Sequence, residues 1–222
     1  MSSRRTLNQS EGSSNPAKRF LQWKSNDKNF SYYDKDKKEN ITVPLPFKFQ
    51  FLEHFHTVKG WNDASESGIY SNEVKFISKE PLSVKSFKGG NIAEGIYSEI
   101  RSKLRDAGGK YFRSVYVIDE NGEIINLQLK GAVVSSYSDF MKENEGKIES
   151  YWVTVNKALD LKKGATKYSV PVFEIGKAFT KEEYSLADEK YKDIVSYFDK
   201  YSSKPEQSED VEVETEEDDL AF

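Results

Sequence analysis

The chain is 222 residues long and contains no cysteine, which excludes disulfide bonds, thiolate metal sites and cysteine nucleophiles. Its 33 lysine and arginine residues against 37 aspartate and glutamate residues give a formal charge of −4, and aromatic residues make up 14% of the chain. No stretch is apolar enough to span a membrane, and the first residues lack the apolar core of a secretory signal. We therefore expect a cytoplasmic protein.

The first part of the chain predicts an arm followed by short strands. Residues 1–16 are rich in serine and asparagine, and we expect them to be disordered. An ordered domain is expected over residues 17–204. It opens with two short strands, at 19–23 and 29–34, and a charged loop or hairpin tip follows.

Residues 41–59 give the strongest strand signal in the chain. Alternation predicts phenylalanines on one face and polar side chains on the other: Phe47, Phe49, Phe51 and Phe55 against Lys48, Gln50, His54 and His56. Because Pro44 and Pro46 precede the main run, the strand should start after them or run along an edge. His54 and His56 could begin a metal site, but a third ligand has no obvious source, so we expect no metal.

The rest of the ordered domain is predicted as hairpins with inserted helices. The Asn121-Gly122 pair marks a β-hairpin turn. The expected elements are a loop at 60–68, strands at 69–78, 82–87, 110–118, 123–130, 148–161 and 167–173, and helices at 93–107, 131–145 and 181–201. No alternating βαβ rhythm appears. The pattern predicts a mainly β (α+β) fold, an OB-like, partly open antiparallel barrel with inserted helices and a C-terminal helix.

Motifs for common enzyme chemistry are missing from the sequence. There is no GxxxxGK[ST] or GxGxxG phosphate loop and no GxSxG nucleophile turn. We therefore expect no enzyme and no cofactor. A nuclease whose metal-binding carboxylates come from distant positions stays open as an alternative.

Several segments mix aromatic and basic residues, as a surface for single-stranded nucleic acid requires. The candidate DNA-binding residues are Lys18, Arg19, Trp23, Trp61, Tyr111, Arg113, Trp152, Lys157, Lys162, Lys163, Lys167 and Tyr168. Alternation places Tyr111 and Arg113 on one strand face and Phe112 and Tyr116 on the other, and the face with the arginine is expected to be wet. The alternative for each aromatic residue is a place in the core, and for the lysine pair a solvated hairpin tip.

The last part of the chain is an acidic tail, residues 205–222. From 206 onwards it holds nine carboxylates and no lysine or arginine, so we expect it to be disordered. Without these nine, the first 205 residues carry 33 basic and 28 acidic side chains, a formal charge of +5. We expect the tail to compete with DNA for the basic body. The alternative is a tail that only aids solubility.

The end of the tail, Asp218-Asp219-Leu220-Ala221-Phe222, resembles the C-terminal tip of bacterial and phage single-stranded DNA-binding proteins. Leu220 and Ala221 stand where the bacterial tip has isoleucine and proline. The length and insertions look more like those of phage replication proteins, which would place the protein in the host cytoplasm.

The resemblance implies a division of labour. An OB-fold body would coat and protect single-stranded DNA in replication, repair and recombination, without sequence preference. An oligomer is compatible with this role. The tail would recruit a polymerase, a primase or helicase, or a nuclease through Asp218, Asp219, Leu220, Ala221 and Phe222. The alternative function is a protein-interaction or assembly factor that docks a partner through the tail and binds no DNA.

Overall fold

The computed structural model describes residues 15–202, so nearly all of the predicted arm and the whole predicted tail lie outside the described residues. The elements are β1 (Arg19–Lys24), β2 (Asn29–Asp34), β3 (Glu39–Val43), β4 (Phe47–Asn62), β5 (Ser67–Ser71), β6 (Leu82–Ser86), β7 (Gly90–Gly95), α1 (Tyr97–Asp106), β8 (Gly109–Asp119), β9 (Ile124–Lys130), α2 (Ala132–Glu143), β10 (Tyr151–Lys163), β11 (Thr166–Ala178) and α3 (Lys181–Ser202).

The prediction of a mainly β protein with a few helices is confirmed. The first two strands lie where they were expected, and Gly122 adopts the positive φ of 77° that the turn between β8 and β9 requires. The strand predicted to start after Pro44 and Pro46 is β4, which begins at Phe47 and continues past residue 59 to Asn62, while the residues before the prolines form the separate strand β3. The predicted loop after residue 60 is shorter, since β4 continues to Asn62 and β5 begins at Ser67.

A β-bulge in β4 corrects the predicted assignment of its faces. Phe51 pairs with Val117 of β8, but the next pair joins Glu53 to Tyr116, so one extra residue, Leu52, is inserted. The insertion inverts the alternation. Phe55 therefore lies on the opposite face from Phe51, and His54 and His56 lie on the same face as Phe51.

The strands form one open sheet in the order β3-β2-β1-β9-β8-β4-β5-β6-β7, with β10 paired to the start of β4 and β11 paired to β10. The pair β1–β9 is parallel, and the other pairs among the described strands are antiparallel. No ladder joins β1 to β11. Side chains span this gap instead, because the Trp23 indole N–H donates to the Ser169 carbonyl at 3.0 Å and the Ser169 hydroxyl donates to the Ser25 carbonyl at 2.6 Å.

Two faces of the sheet carry three core clusters. On the inner face, which we define by Val115 and Val117, residues of β1, β9, β10, β11 and α2 pack into the main core. A second cluster, with Leu104 of α1, lies farther along this face beyond the histidines. The third cluster lies on the outer face, where Tyr116 and Ile118 pack against α3.

Helix α3 runs along the outer face in a defined direction. Leu186, near its start, lies 3.6 Å from where a Cβ at Gly122 would be, in the turn after β8. Phe198, near its end, lies on Phe55 and Tyr116 with ring centroids 4.1 and 5.9 Å apart. The helix therefore runs antiparallel to β8, and its C-terminal end points toward the beginning of that strand.

Candidate nucleic-acid interface

A row of lysines crosses the outer face beyond the area that α3 covers. One lysine comes from each of five strands, β1, β9, β8, β4 and β6: Lys24, Lys130, Lys110, Lys59 and Lys85. We call this row the basic track. Each of these side chains lies on the outer face because alternation places it opposite inward residues of the cores, such as Trp23, Leu129 and Val84.

Strand register fixes the order of the basic track. Lys59 of β4 stands directly opposite Lys110 of β8, and Phe112 stands opposite Lys130 of β9. At the far end Tyr70 of β5 stands opposite Lys85. Like charges at directly opposed positions destabilise a sheet. An anion that binds between the two strands would relieve this repulsion.

Aromatic side chains lie between the lysines of the track. The Lys59 ammonium lies 5.5 Å from the centroid of the Phe20 ring, which is 38% exposed. Phe112, on the same face, is buried. Tyr70 stacks on Phe87 with a centroid distance of 4.6 Å and an interplanar angle of 25°. The track therefore offers both cations and ring faces, at the Phe20 end and at the Tyr70 end.

Lys59 is a half-buried cation of the track. Burial lowers the pKa of its ammonium, and the nearby Glu73 carboxylate offsets part of this effect. An anion that binds beside Lys59 would stabilise its charged form, because it would replace the hydration that burial removes.

A surface cavity of about 550 Å³ continues the track beyond β1. It lies between the β1–β2 turn and the tip of the β10–β11 hairpin, and its lining residues are Ser25, Asn26, Lys28, Asp160, Leu161, Lys162, Lys167 and Tyr168. The Lys28 ammonium forms an ion pair with Asp160 at 2.7 Å. Because Ser25 directly follows Lys24, the cavity adjoins the track, and we call it the hairpin cavity.

The structure brings some of the predicted DNA-binding residues together. Lys162, Lys167 and Tyr168 line the hairpin cavity, and Lys163 lies at the same hairpin tip, paired with Thr166. Trp61 lies half-buried on β4, two residues after Lys59 and on the same face. These five residues form or extend the candidate interface.

Other predicted residues have different environments. Trp23 is buried, with its ring edge-on against Phe30, so no face is open to a base. The Arg19 guanidinium forms ion pairs with Asp119 at 2.8 Å and Glu123 at 2.7 Å. The prediction that Trp23 binds DNA is wrong, because its indole belongs to the core. Arg19 is neutralised by these carboxylates.

The remaining predicted residues lie apart from the track. Lys18 is exposed before β1, and Lys157 forms an ion pair with Glu174 at 3.3 Å. Trp152 packs edge-on against Phe179 at 6.3 Å, and the Lys177 ammonium lies 5.8 Å from its ring. None of these is joined to the track by a described contact.

Tyr111 and Arg113 share a face, as alternation predicted, and both are half-buried there. Phe112 and Tyr116, on the other face, are buried. The shared face is the inner one, so Tyr111 and Arg113 lie on the opposite side of the sheet from the basic track.

Sequence reasoning placed none of the five track lysines among the candidate DNA-binding residues. Lys59, Lys85, Lys130, Tyr70 and Phe87 were not singled out, because each stands outside the dense basic and aromatic segments. Alternation relative to neighbouring apolar residues, as in Leu82 and Val84 around Lys85, is the signal that could have found them. Alternation shows which lysines share a face of the sheet only once the strand order is known.

Residues 15–202 contain neither a metal-binding cluster nor a membrane-spanning helix. No group of three histidine, aspartate or glutamate side chains there is close enough to hold a metal ion. No described helix has both the length and the apolar character needed to cross a membrane.

Comparison with known proteins returned no relative. No family model matches the chain, and neither a curated protein nor a solved structure shows significant similarity to it. The candidate interface therefore stands on its geometry alone.

Proposed function

We propose that this protein binds single-stranded DNA without sequence preference, along the basic track and into the hairpin cavity. The observation that carries the proposal is the register of the lysines, one on each of five strands of the same sheet face. Adjacent strands lie about 4.8 Å apart, so β1 to β6, six adjacent strands, span about 24 Å. A cationic groove of this length with interspersed rings is what a nucleic-acid strand requires.

The topology supports the OB type of barrel. Within the sheet, β4 pairs with both β8 and β10, β8 pairs with β9, and β10 pairs with β11, while α2 connects β9 to β10. This matches a five-stranded Greek-key barrel that begins at β4, with residues 63–108 inserted after the first strand. OB-folds bind oligonucleotides on the face of their second and third strands and with the loops after the first and fourth. In this protein the second and third strands are β8 and β9, which carry part of the track. The loop after the fourth strand, between β10 and β11, lies at the hairpin cavity.

The chemistry of the track favours a single strand over a duplex and tolerates any sequence. Lysines contact phosphates as point charges and carry no base information. Exposed rings such as Phe20 can stack on any base of a single strand. In a duplex the bases stack on one another and are not available to these rings. The choice of DNA over RNA rests on the resemblance of the tail.

The acidic tail completes the proposal. Because α3 runs toward the beginning of β8, it ends near the track, and the nine carboxylates of residues 206–222 begin four residues after Ser202. Tethering gives them a high effective concentration at the lysines. The tail therefore competes with DNA when the track is empty, and DNA binding releases Asp218–Phe222 for replication proteins.

Fluorescence anisotropy with labelled oligothymidylate tests the proposal. The strand should exceed the roughly 16 nucleotides that one OB-type site covers. The test variant combines Lys59→Ala, Lys110→Ala and Lys130→Ala. The matched control removes the same charge from exposed helical lysines off the track, with Lys103→Ala, Lys142→Ala and Lys192→Ala.

The expected result is tight binding that weakens with salt. The slope of log K against log salt should fall in magnitude by about 2 in the track variant, at about 0.7 per lost phosphate contact, and stay unchanged in the control. Duplex DNA and RNA of equal length serve as competitors. Absence of binding to any strand would favour the protein-interaction alternative, and shortening of the strand with a divalent metal would favour a nuclease.

A further inference from the structure

A polar cluster lies on the inner face, between the main core and the second cluster. It consists of His54 and His56 of β4, Tyr111 and Arg113 of β8 and Tyr137 of α2, and we call it the histidine cluster. His56 and Arg113 stand directly opposite each other. The cluster is on the reverse side of β4 and β8 from the basic track, so it is a separate site.

Hydrogen bonds suggest an assignment of the protons in the cluster. The Arg113 Nε–H donates to the Tyr111 hydroxyl oxygen at 3.3 Å, and we assign the hydroxyl proton to the 2.6 Å hydrogen bond with His56 Nδ1, in which the hydroxyl is then the donor. The Tyr137 hydroxyl lies 3.4 Å from His54 Nδ1. Burial raises the pKa of Tyr137, so its hydroxyl keeps its proton, and we assign that proton to the contact with His54 Nδ1.

Both imidazoles are therefore neutral and carry their proton on Nε2. Burial, followed by the charge of Arg113, lowers the pKa of each histidine to about 4, in agreement with this assignment. A neutral imidazole whose Nδ1 already accepts a hydrogen bond has only a donor left. The cluster thus presents two Nε2–H groups and the free arms of a guanidinium.

The cluster has donors and a positive charge but lacks an acceptor for them. Arg113 is half-buried, and within residues 15–202 no carboxylate forms an ion pair with it. The carboxylate whose charge acts on His54, Glu53, is already paired with Lys75 at 2.6 Å. A charge taken partly out of water is normally paired, so the chemistry of the cluster suits an anion.

We propose that the histidine cluster binds the phosphate group of a nucleotide. A phosphate has several acceptor oxygens that point in different directions, and it accepts a bidentate guanidinium together with further N–H donors. Tyr97 of α1 lies beside the cluster, with its ring centroid 5.5 Å from that of Tyr111. We place the nucleobase that the phosphate carries against these two half-buried rings.

Histidine side-chain NMR on the full-length protein tests this inference. The Nε2–H signals of His54 and His56, the only histidines of the chain, are followed at pH 7.5 during addition of potassium phosphate. Potassium chloride at equal ionic strength is the control. Both imidazoles should shift with phosphate and not with chloride, and Arg113→Gln should weaken the response at least tenfold.

Further variants and ligands make the result decisive. Lys59→Ala with Lys110→Ala removes part of the track and should leave the phosphate response intact. If Arg113→Gln does not fold, as judged by circular dichroism, Tyr111→Phe replaces it, because loss of that hydroxyl breaks the link between Arg113 and His56. An absent shift at tens of millimolar phosphate, or an equal shift in the folded variant, would overturn the inference.

The source of the phosphate is distinguished by three ligands. Thymidine monophosphate should bind more tightly than inorganic phosphate if a free nucleotide is the ligand, and thymidine alone should not bind. A 5′-phosphorylated oligothymidylate that binds more tightly than the monophosphate, and than its unphosphorylated form, would identify a strand end instead. Either result supports a nucleotide phosphate, and equal shifts with thymidine and its monophosphate would contradict it.

Discussion

Lys59 and Lys110 stand directly opposite each other on β4 and β8, on the same face of the sheet. We expect this pairing to cost about 0.2–1 kcal/mol of stability in the free protein, because directly opposed like charges repel. Replacement of both by alanine should therefore leave the free energy of unfolding unchanged or slightly higher. The same change should lower the salt slope of single-strand binding by about 1.4. Urea unfolding and anisotropy titrations would check both effects, and a less stable variant with unchanged DNA affinity would contradict this role.

The basic track shows what the sequence could and could not predict. Phe20, Lys24 and Lys110 lie in segments that the mixture of basic and aromatic residues singled out. Local alternation cannot say which of two faces is wet, and an inserted residue such as Leu52 inverts it without any sign in the sequence.

Long-range contacts explain the remaining errors. Trp23 looked like a stacking residue because it stands between basic residues, yet its hydrogen-bond partner Ser169 lies 146 positions away. By contrast, the turn at Gly122 and the strands β1 and β2 follow from residues within a few positions, and there the prediction was correct. Register across β4, β5 and β6, which brings Lys59 and Lys85 to one face, is a property of the assembled sheet.

Phe20 should contribute to DNA binding through its ring. It is 38% exposed and lies under the Lys59 ammonium. Phe20→Ala should weaken single-strand binding by about 1–3 kcal/mol, the value of one stacked base. Phe76→Ala is the matched control, since Phe76 is 53% exposed under Lys79, at 5.8 Å, and lies off the track. Equal losses in the two variants would argue against stacking on Phe20.

Trp23 should contribute to stability and not to DNA binding. Trp23→Phe removes the indole N–H that donates to the buried Ser169 carbonyl and leaves a small void in the main core. The expected loss is about 1–3 kcal/mol in the free energy of unfolding. DNA affinity, measured well below the melting temperature, should not change. Weaker DNA binding by a fully folded variant would restore Trp23 to the interface.

His54 and His56 should make the folded protein sensitive to mild acid. Their pKa values are about 4 in the folded state against 6.5 in the unfolded chain, since burial and Arg113 disfavour the charged forms. The unfolded state then binds more protons between these values, so stability is full above pH 6.5 and falls as the pH drops toward 4. Both rings keep some solvent contact, which limits the loss to roughly 1–2 kcal/mol for each histidine.

Replacement of both histidines by glutamine isolates this effect. Between pH 6.5 and 4.5 the variant should show a flatter dependence of the free energy of unfolding than the unchanged protein. Below about pH 4.5 both proteins should lose stability. Folding lowers the pKa of Glu174 and of Glu183, so protonation of these carboxylates favours the unfolded state. Parallel curves above pH 4.5 would show that folding does not lower the pKa values of the two imidazoles.

Deletion of residues 206–222 tests the competition between the acidic tail and DNA. At low salt the shortened protein should bind single strands more tightly, because nine tethered carboxylates no longer occupy the track that α3 points toward. Its affinity should also fall more steeply with salt, since salt no longer weakens a competitor at the same time as the DNA. A control chain with the nine acids replaced by glutamine and asparagine keeps the length and should behave like the deletion. Equal affinity of all three proteins at low salt would show that the tail and DNA do not share the track.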